Sequence, residues 1–297
     1  IHRGFTPPSS GSIKILNFGD NDGSDALELK AETSWNKEVG FRMSSDIIHD
    51  LELAFFHINI NNMVAAGRSI DFKNLGKIQS MGLELATNIY LSLFDFLKPM
   101  LHLNYSYLST EVTDATIMSN IPPEYFGIHP DIDCVEFSYD VNGVAIDCKR
   151  DISGNKLPYS PEHTLMLGMS INILDKIETR FDYKYISQVF TDFENIESNN
   201  TFCLTNLECQ DESKIDFSKE YKVGIAGPVP EYGVANLSFK YNINPKISTT
   251  LTVKNLFDLI YIGSRLHSSP GVKTATTSTG IIPGARRQIN LDIEYNF

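Results

Sequence analysis

Alternation of apolar and polar residues with a period of two is the main pattern along this chain. Between residues 164 and 173, the apolar positions are Leu165, Leu167, Met169, Ile171 and Ile173. The closing segment QINLDIEYNF alternates in the same way. This period is typical of β-strands that bury one face, and no window sustains the i, i+3, i+4, i+7 spacing of an amphipathic helix. The pattern predicts an all-β, antiparallel protein.

Nine strands are predicted from this alternation, separated by connections that are short and long in turn. They cover residues 35–45, 51–60, 72–92, 100–112, 161–173, 177–190, 233–243, 246–257 and 285–297. The segment 51–60 breaks phase at Phe55 and Phe56, and a β-bulge is one explanation. Short turns at one end and long loops at the other are typical of transmembrane β-barrels.

Charged and aromatic residues indicate what surrounds the two faces of these strands. The polar face keeps mid-strand charges such as Glu84 and Arg180, which a wet lumen accepts and a dry core excludes. Aromatic residues collect near strand ends, Tyr105 toward the long loops and Tyr241 and Tyr295 toward the short turns. Such girdles are typical of membrane interfaces. We therefore predict that lipid covers the apolar face; a sandwich or propeller with one solvated face is the alternative.

Composition and charge narrow the function classes. The chain is 42% hydrophobic and 21% charged, as in globular proteins, and its net charge of -12 argues against a nucleic-acid partner. It contains no apolar run long enough for a transmembrane helix. It begins Ile1-His2-Arg3-Gly4 without an initiator Met, so we expect any export signal upstream and interpret the chain as a fragment.

The four cysteines form two close pairs, Cys134 with Cys148 and Cys203 with Cys209. Neither pair has CxxC spacing or a histidine at zinc-finger distance, so metal binding is the weaker interpretation. We predict local disulfides formed in an oxidising compartment, with free thiols as a further alternative.

Six segments resemble the C-terminal part of TonB-dependent outer-membrane receptors, and within them the ferric dicitrate receptor group. They are GFTPPSSG (4–11), TSWNKEVGFR (33–42), NLGKIQSMGLEL (74–85), LPYSPEHTLMLGMSI (157–171), VKNLFDLIYIGSR (253–265) and PGARRQINLDIEYNF (283–297). The resemblance covers most of the predicted strands and little of the long loops.

The resemblance implies a 22-stranded barrel with an N-terminal plug domain. Residues 1–34 would then be an extracellular loop and residues 35–297 the last nine strands, in the outer membrane of a Gram-negative-type bacterium. An open nine-stranded edge in lipid would leave backbone groups unpaired, so we expect further strands, the plug and the TonB-contacting segment upstream.

The function that the resemblance implies is TonB-energised uptake of a ferric chelate, a siderophore or ferric citrate, with no resident cofactor or metal. Expected partners are the TonB complex, the chelate, lipopolysaccharide and outer-membrane lipid. A passive porin or adhesin, or uptake of cobalamin or a carbohydrate, are the alternatives.

Three arginines are the predicted ligand contacts: Arg68, Arg265 and Arg286. Carboxylates of a citrate-type chelate favour the planar guanidinium of arginine, although a solvated charge or a salt bridge is the alternative for each. The alternation of the last strand places Arg286 toward the lumen and Arg287 toward lipopolysaccharide phosphate. The loop 111–162 is strongly acidic, which opposes an anionic chelate and leaves a less negative one open.

No enzyme is predicted, because the sequence has no HExxH, no GxSxG and no glycine-rich phosphate loop. His102 and Ser106 lie on one predicted face and could be imagined in a hydrolase triad, but alternating polar residues are expected on any lumen face.

Overall fold

The computed structural model describes residues 1–7, 30–67, 70–91, 97–118, 136–139, 145–173, 176–195, 228–265 and 281–295. β-strands and their connections make up these ranges. Among these residues, no helix has the length and apolarity needed to cross a membrane.

Ten strands of the described chain form one antiparallel sheet. They are β1 (His2–Thr6), β2 (Glu32–Met43), β3 (Ile48–Gly67), β4 (Ile70–Tyr90), β5 (Leu97–Asp114), β9 (His163–Ile173), β10 (Ile177–Ile186), β11 (Tyr232–Asn244), β12 (Ile247–Lys254) and β15 (Gln288–Tyr295). Neighbours in this order pair with each other. The five other strands form two small sheets, one of β6 (Thr116–Met118), β8 (Ala145–Asp151) and β7 (Glu136–Tyr139), and one of β13 (Ile262–Arg265) and β14 (Ile281–Pro283).

The sheet has a turn end and a loop end. At the turn end, residues 44–47, 91–96, 174–176 and 245–246 connect successive strands. At the loop end, the connections 7–31, 115–162, 187–231 and 255–287 are much longer, with β6 to β8, β13 and β14 inside them. This sorting is the one predicted from the sequence, except at the loop end between β3 and β4, where only residues 68–69 separate the two strands.

All nine predicted strands are present, but the interpretation of residues 1–34 as a loop is wrong for residues 2–6 and 32–34, which lie in strands, while residues 8–29 lie outside the described residues. Residues His2–Thr6 form β1, which pairs with β2 from His2 opposite Asn36 to Thr6 opposite Glu32. The segment HRGFT contains a single apolar residue, Phe5, so it is too short and too polar to show the period of two.

Residues 61–71, predicted as a long connection, belong almost entirely to the β3–β4 hairpin. β3 continues to Gly67 and β4 begins at Ile70. Register shifts occur beside Asn62, whose φ is 57°, and at Gly76, whose φ is 123°. Each irregularity moves the apolar residues to the other parity, so the alternation is lost although the strands continue.

The proposed bulge at Phe55 and Phe56 is also wrong. Phe55 lies opposite Val39 and Phe56 lies opposite Gly82, without a register shift at either position. A Cβ atom on Gly82 would lie 2.6 Å from Cζ of Phe56. The Phe56 ring therefore fills space that a glycine leaves on the polar face, and this contact explains the break in phase.

The register confirms that the closing strand shares its apolar face with the rest of the sheet. Opposite residues lie on one face, and one row across five strands consists of Leu291, Leu251, Phe239, Thr179 and Ile171. Phe181 and Leu167 lie on the same face, an even number of residues along their strands. We call this the outer face; Phe297 lies outside the described residues.

The other face, here called the inner face, is polar. One row consists of Asp292, Thr250, Lys240, Glu178 and Asn172. The outer face instead presents apolar side chains to the surroundings, since Ile293 is 74% exposed and Val39 is 69% exposed. An exposed apolar face of this extent marks contact with a membrane or with protein.

Aromatic residues lie at both ends of the outer face, as predicted. At the loop end, the Tyr105 hydroxyl lies 2.9 Å from Nδ1 of His163, whose ring centroid lies 5.3 Å from that of Tyr107. At the turn end, Tyr241 and Tyr295 occupy outer-face positions of β11 and β15.

Candidate ligand-binding site

Side chains of the inner face form an exposed polar wall. Arg42 pairs with Glu52 at 3.1 Å, and Arg180 pairs with Asp182 at 2.9 Å. These side chains are exposed, and such pairs contribute only about 0–1 kcal/mol each. The wall is therefore suited to contact with water or a polar partner, and its ion pairs add little to stability.

His102 lies in a hydrogen-bonded chain on this wall. Its Nδ1 lies 2.7 Å from the Asn88 carbonyl oxygen and its Nε2 lies 3.4 Å from the Ser170 hydroxyl. Because the Asn88 oxygen can only accept, Nδ1 of His102 carries a proton. Ser106 lies opposite Glu84, four residues along β5 from His102, a distance of about 13 Å. His102 and Ser106 are therefore not paired as a triad would require.

A small hydrophobic core covers the inner face at the loop end. Its buried members are Leu75, Ile78, Val112, Ala115, Ile117 and Ile152. Ile78 and Val112 come from strands β4 and β5, whereas Ile117 and Ile152 come from the connection between β5 and β9. Burial of each large apolar side chain contributes about 1.5–3 kcal/mol. This loop core fixes part of the long connection to the barrel wall.

A buried ion pair joins β8 to the segment that follows β10. Nη1 of Arg150 lies 2.7 Å from Oε2 of Glu194, and the Glu194 side chain is 1% exposed. Nearby, the Asn155 side-chain amide donates to the Phe193 carbonyl at 2.8 Å. Two long connections are thus held together by polar contacts beside the loop core.

Asp192 lies next to this ion pair. Its side chain accepts a hydrogen bond from the Glu194 amide at 2.8 Å. Loss of hydration, with a further contribution from the Glu194 charge, raises the pKa of Asp192 to about 6. The carboxylates of Asp192 and Glu194 therefore lie in one cluster with the guanidinium of Arg150.

Two of the family-like segments contact each other at the loop end. The Tyr159 hydroxyl donates to the Arg265 backbone carbonyl, and the Arg265 amide lies 3.3 Å from the same hydroxyl. Tyr159 has a φ of 54°, and its own amide donates to the Phe190 carbonyl at 2.8 Å. LPYSPEH and IGSR are therefore joined through one side chain.

The NLFD segment binds the residues that precede β15. Asn255 donates from its side-chain amide to the carbonyls of Leu259 and Ala285, both at 2.9 Å. Asp258 accepts from Nε of Arg286 at 2.8 Å and from the Arg287 amide at 2.9 Å. The guanidinium of Arg286 and the Arg287 amide hold the pKa of Asp258 well below its usual range.

The structure locates two of the three predicted ligand arginines. Arg68 lies outside the described residues. Arg265 is only 5% exposed, and Arg286 makes a two-pronged contact with Asp258. Their role in ligand binding stays a prediction.

The sorting of Arg286 and Arg287 by strand alternation does not hold. β15 begins at Gln288, so residues 284–287 are not part of a strand and have no alternating faces. Both arginine side chains instead approach the Asp258 carboxylate, Arg287 at 4.0 Å.

The cysteine prediction lies outside what the structure describes. Cys134, Cys203 and Cys209 are outside the described residues. The backbone of Cys148 lies in β8 opposite Phe137, but its side chain is not described. Both disulfides stay predictions.

Sequence reasoning missed the cluster of Arg150, Asp192 and Glu194. Arg150 is one of few basic residues in an acidic loop, and Asp192 and Glu194 lie in the short polar segment TDFEN (191–195), so no sequence pattern marks either part. The two segments lie about 40 residues apart and meet only through the fold.

An open antiparallel sheet with an apolar outer face, a polar inner face and short turns at one end defines a segment of a transmembrane β-barrel. The chain belongs to the TonB-dependent receptor family: the family described as TonB dependent receptor-like, beta-barrel, matches residues 1–256.

Solved structures with the same fold include siderophore receptors. The Fiu ferric-catecholate import receptor from E. coli K12 has a TM-score of 0.58 at 17% identity, over 99% of this chain and 32% of its own. The ferric yersiniabactin uptake receptor FyuA from Yersinia pestis has a TM-score of 0.54 at 15% identity, over 90% and 30%. The ferric citrate transporter FecA has a TM-score of 0.54 at 17% identity, over 90% and 31%.

This chain thus spans about a third of the length of these structures. No curated protein matches it.

Proposed function

We propose that this chain is part of an outer-membrane receptor that takes up a ferric chelate with energy supplied through TonB. The observation that carries the proposal is the family match over residues 1–256. The similar structures named above, for ferric catecholate, ferric yersiniabactin and ferric citrate, support an iron chelate as the ligand class.

The charges at the loop end favour a chelate with little negative charge. Four basic side chains there are each bound to a carboxylate: Arg150 to Glu194, Lys156 to Glu162, Arg286 to Asp258 and Lys77 to Asp114. An anionic chelate would have to compete with these carboxylates. We therefore favour a neutral siderophore complex over ferric dicitrate, which is the alternative within the same class.

Radioactive iron uptake tests the proposal. Cells with and without the gene are given ⁵⁵Fe as a neutral trihydroxamate complex, as dicitrate or as an anionic tris-catecholate, in strains with and without active TonB. We expect uptake of the neutral complex to require both the gene and TonB. Uptake unchanged by deletion for every iron chelate would refute the proposal. Uptake that needs the gene but not TonB would favour a passive porin.

A further inference from the structure

Basic and aromatic side chains meet on the outer face of β1, β2 and β3, near the loop end of β2 and in the middle of β3. Arg3 lies opposite Trp35, and its guanidinium carbon lies 6.0 Å from the Trp35 ring centroid. Lys37 is the next outer-face residue of β2 and lies opposite His57 on β3. We call Arg3, Trp35, Lys37 and His57 the basic patch.

The basic patch borders the apolar part of the outer face directly. The next row toward the turn end consists of Val39, Phe55, Leu83 and Tyr107. The row of Arg3 and Trp35 continues through two polar residues, Asn59 and Gln79. The next outer-face row toward the loop end is also mostly polar and consists of Phe5, Thr33, Asn61 and Lys77. The patch therefore lies at the level where a lipid-covered surface ends, and Trp35 is an aromatic side chain typical of that level.

On the described parts of β1, β2 and β3, no acid on the outer face balances the charge of the patch. The outer-face positions of β1, β2 and β3 hold no carboxylate within the described residues, because the acids of these strands, Glu32, Glu38, Asp50 and Glu52, all have the inner-face parity. The closest outer-face acid along this row is Glu111 on β5, two strands from β3 and about 10 Å away.

Such an arrangement calls for an anion from outside the chain. Cations placed side by side on a sheet repel each other. His57 lies opposite Lys37, and its Nε2 lies 2.9 Å from the amide nitrogen of Gln79, so His57 adds a polar ring beside Lys37 in the row next to the apolar one.

We propose that the basic patch binds the phosphate of a lipid head group in the outer leaflet. Arg3 and Lys37 supply the positive charge, Trp35 positions Arg3 and lies at the head-group level, and the adjoining apolar row contacts the acyl chains. This inference rests on the proposed outer-membrane location, since long loops of such barrels face outward.

Lipid binding by variants of the intact protein tests this assignment. The protein is purified in mild detergent and titrated with diphosphorylated lipid A or with its dephosphorylated form. We expect Arg3→Gln combined with Lys37→Gln to weaken binding of the phosphorylated lipid roughly thirtyfold, at about fivefold for each basic residue near an anionic surface. Lys37→Arg should retain the wild-type affinity, and the dephosphorylated lipid should bind wild type and double variant alike.

The matched control is Lys184→Gln combined with Lys254→Gln, which removes the same charge from the inner face. It should leave lipid binding unchanged. The gel mobility of unheated samples checks that both proteins are folded. If both are folded and bind phosphorylated lipid A with equal affinity, the inference is overturned. Membrane fractionation is a separate readout: a protein absent from the outer membrane would contradict the proposed function itself.

Discussion

Gly76 has a backbone conformation that glycine alone adopts readily. Its φ is 123°, and a Cβ atom there would overlap the carbonyl oxygen of Asp114 on the neighbouring strand. The register shift in the β3–β4 hairpin at this position depends on this freedom. The glycine of NLGKIQ is thus explained by geometry.

Replacement of Gly76 by Ala should lower the free energy of unfolding by roughly 2 kcal/mol or more, because of backbone strain and the overlap with Asp114. Denaturant unfolding in lipid vesicles measures the loss. Gly40→Ala is the matched control, since a Cβ atom at Gly40 would lie 3.6 Å from the Leu53 carbonyl oxygen, an ordinary contact. Equal losses in both variants would contradict the explanation.

Asp258 is the other residue whose role can be tested singly. Its pKa is depressed by Arg286 and Arg287, so its contribution to stability is present above its ordinary pKa of 3.8 and is lost as pH falls toward the depressed value. Asp258→Asn keeps a residue type that tolerates positive φ but removes the charge.

The Asp258→Asn variant should therefore melt at a lower temperature than wild type at pH 7, and the difference should shrink below about pH 4. Thermal melts across pH measure this. Asp292→Asn, an exposed inner-face change opposite Thr250, is the control and should have little effect at either pH. A constant difference between Asp258→Asn and wild type down to pH 2 would show that the charge is not responsible.

At the scale of residues, the sequence indicated several important segments but not the contacts that their residues make. The segments NLFD and LPYSPEH were recognised, yet the contacts of Asp258 and Tyr159 were not predicted. Both residues have positive φ and bind partners distant along the chain, so no local period reveals them.

At the scale of elements, the loop core makes part of the long connections a fixed extension of the wall. Apolar residues from β6 and from the turn after β8 pack on β4 and β5, and the Arg150–Glu194 pair closes one side.

Asp192 gives this unit a testable pH dependence. Its folded-state pKa of about 6 exceeds the ordinary value of 3.8. The contribution of the protonated Asp192 to the free energy of unfolding is therefore fully present below about pH 4 and is lost as pH rises to about 6. Asp192→Asn should raise the free energy of unfolding at pH 7 by on the order of 2 kcal/mol. It retains the oxygen that accepts from the Glu194 amide.

Denaturant unfolding between pH 4 and pH 8 measures this, and hydrogen exchange of the amides in 150–157 and 191–195 localises it. Asp114→Asn, in an exposed pair with Lys77, should change neither. The proposed cause is the burial of the Asp192 charge. It would be contradicted if Asp192→Asn were less stable than wild type at pH 7, or if its free energy of unfolding changed with pH as that of wild type does.

Elements could be predicted from sequence where the alternation is uninterrupted. β9 and β10 were predicted almost to their ends, because one face is mainly apolar and the alternation is not interrupted. β1, β13 and β14 were missed because each has at most five residues, and the β3–β4 hairpin was cut short because its irregular positions change the parity.

At the scale of the whole molecule, two faces of one sheet separate two environments. The outer face exposes large apolar side chains, and the inner face holds ion pairs and hydrogen-bonded polar groups. The proposed uptake depends on this separation, because lipid must cover the first face and the second must line a wet lumen. The sequence predicted the division of the two faces, whereas the identity of the ligand stays a proposal.

Quenching of tryptophan fluorescence by brominated lipid tests this division most directly. The chain contains one tryptophan, so Trp35→Phe provides the background for single replacements of neighbours in β12. Leu251→Trp lies on the outer face opposite Leu291, and Thr250→Trp lies on the inner face opposite Asp292. We predict strong quenching for Leu251→Trp in brominated vesicles and little for Thr250→Trp; equal or reversed quenching would contradict the assignment of the faces.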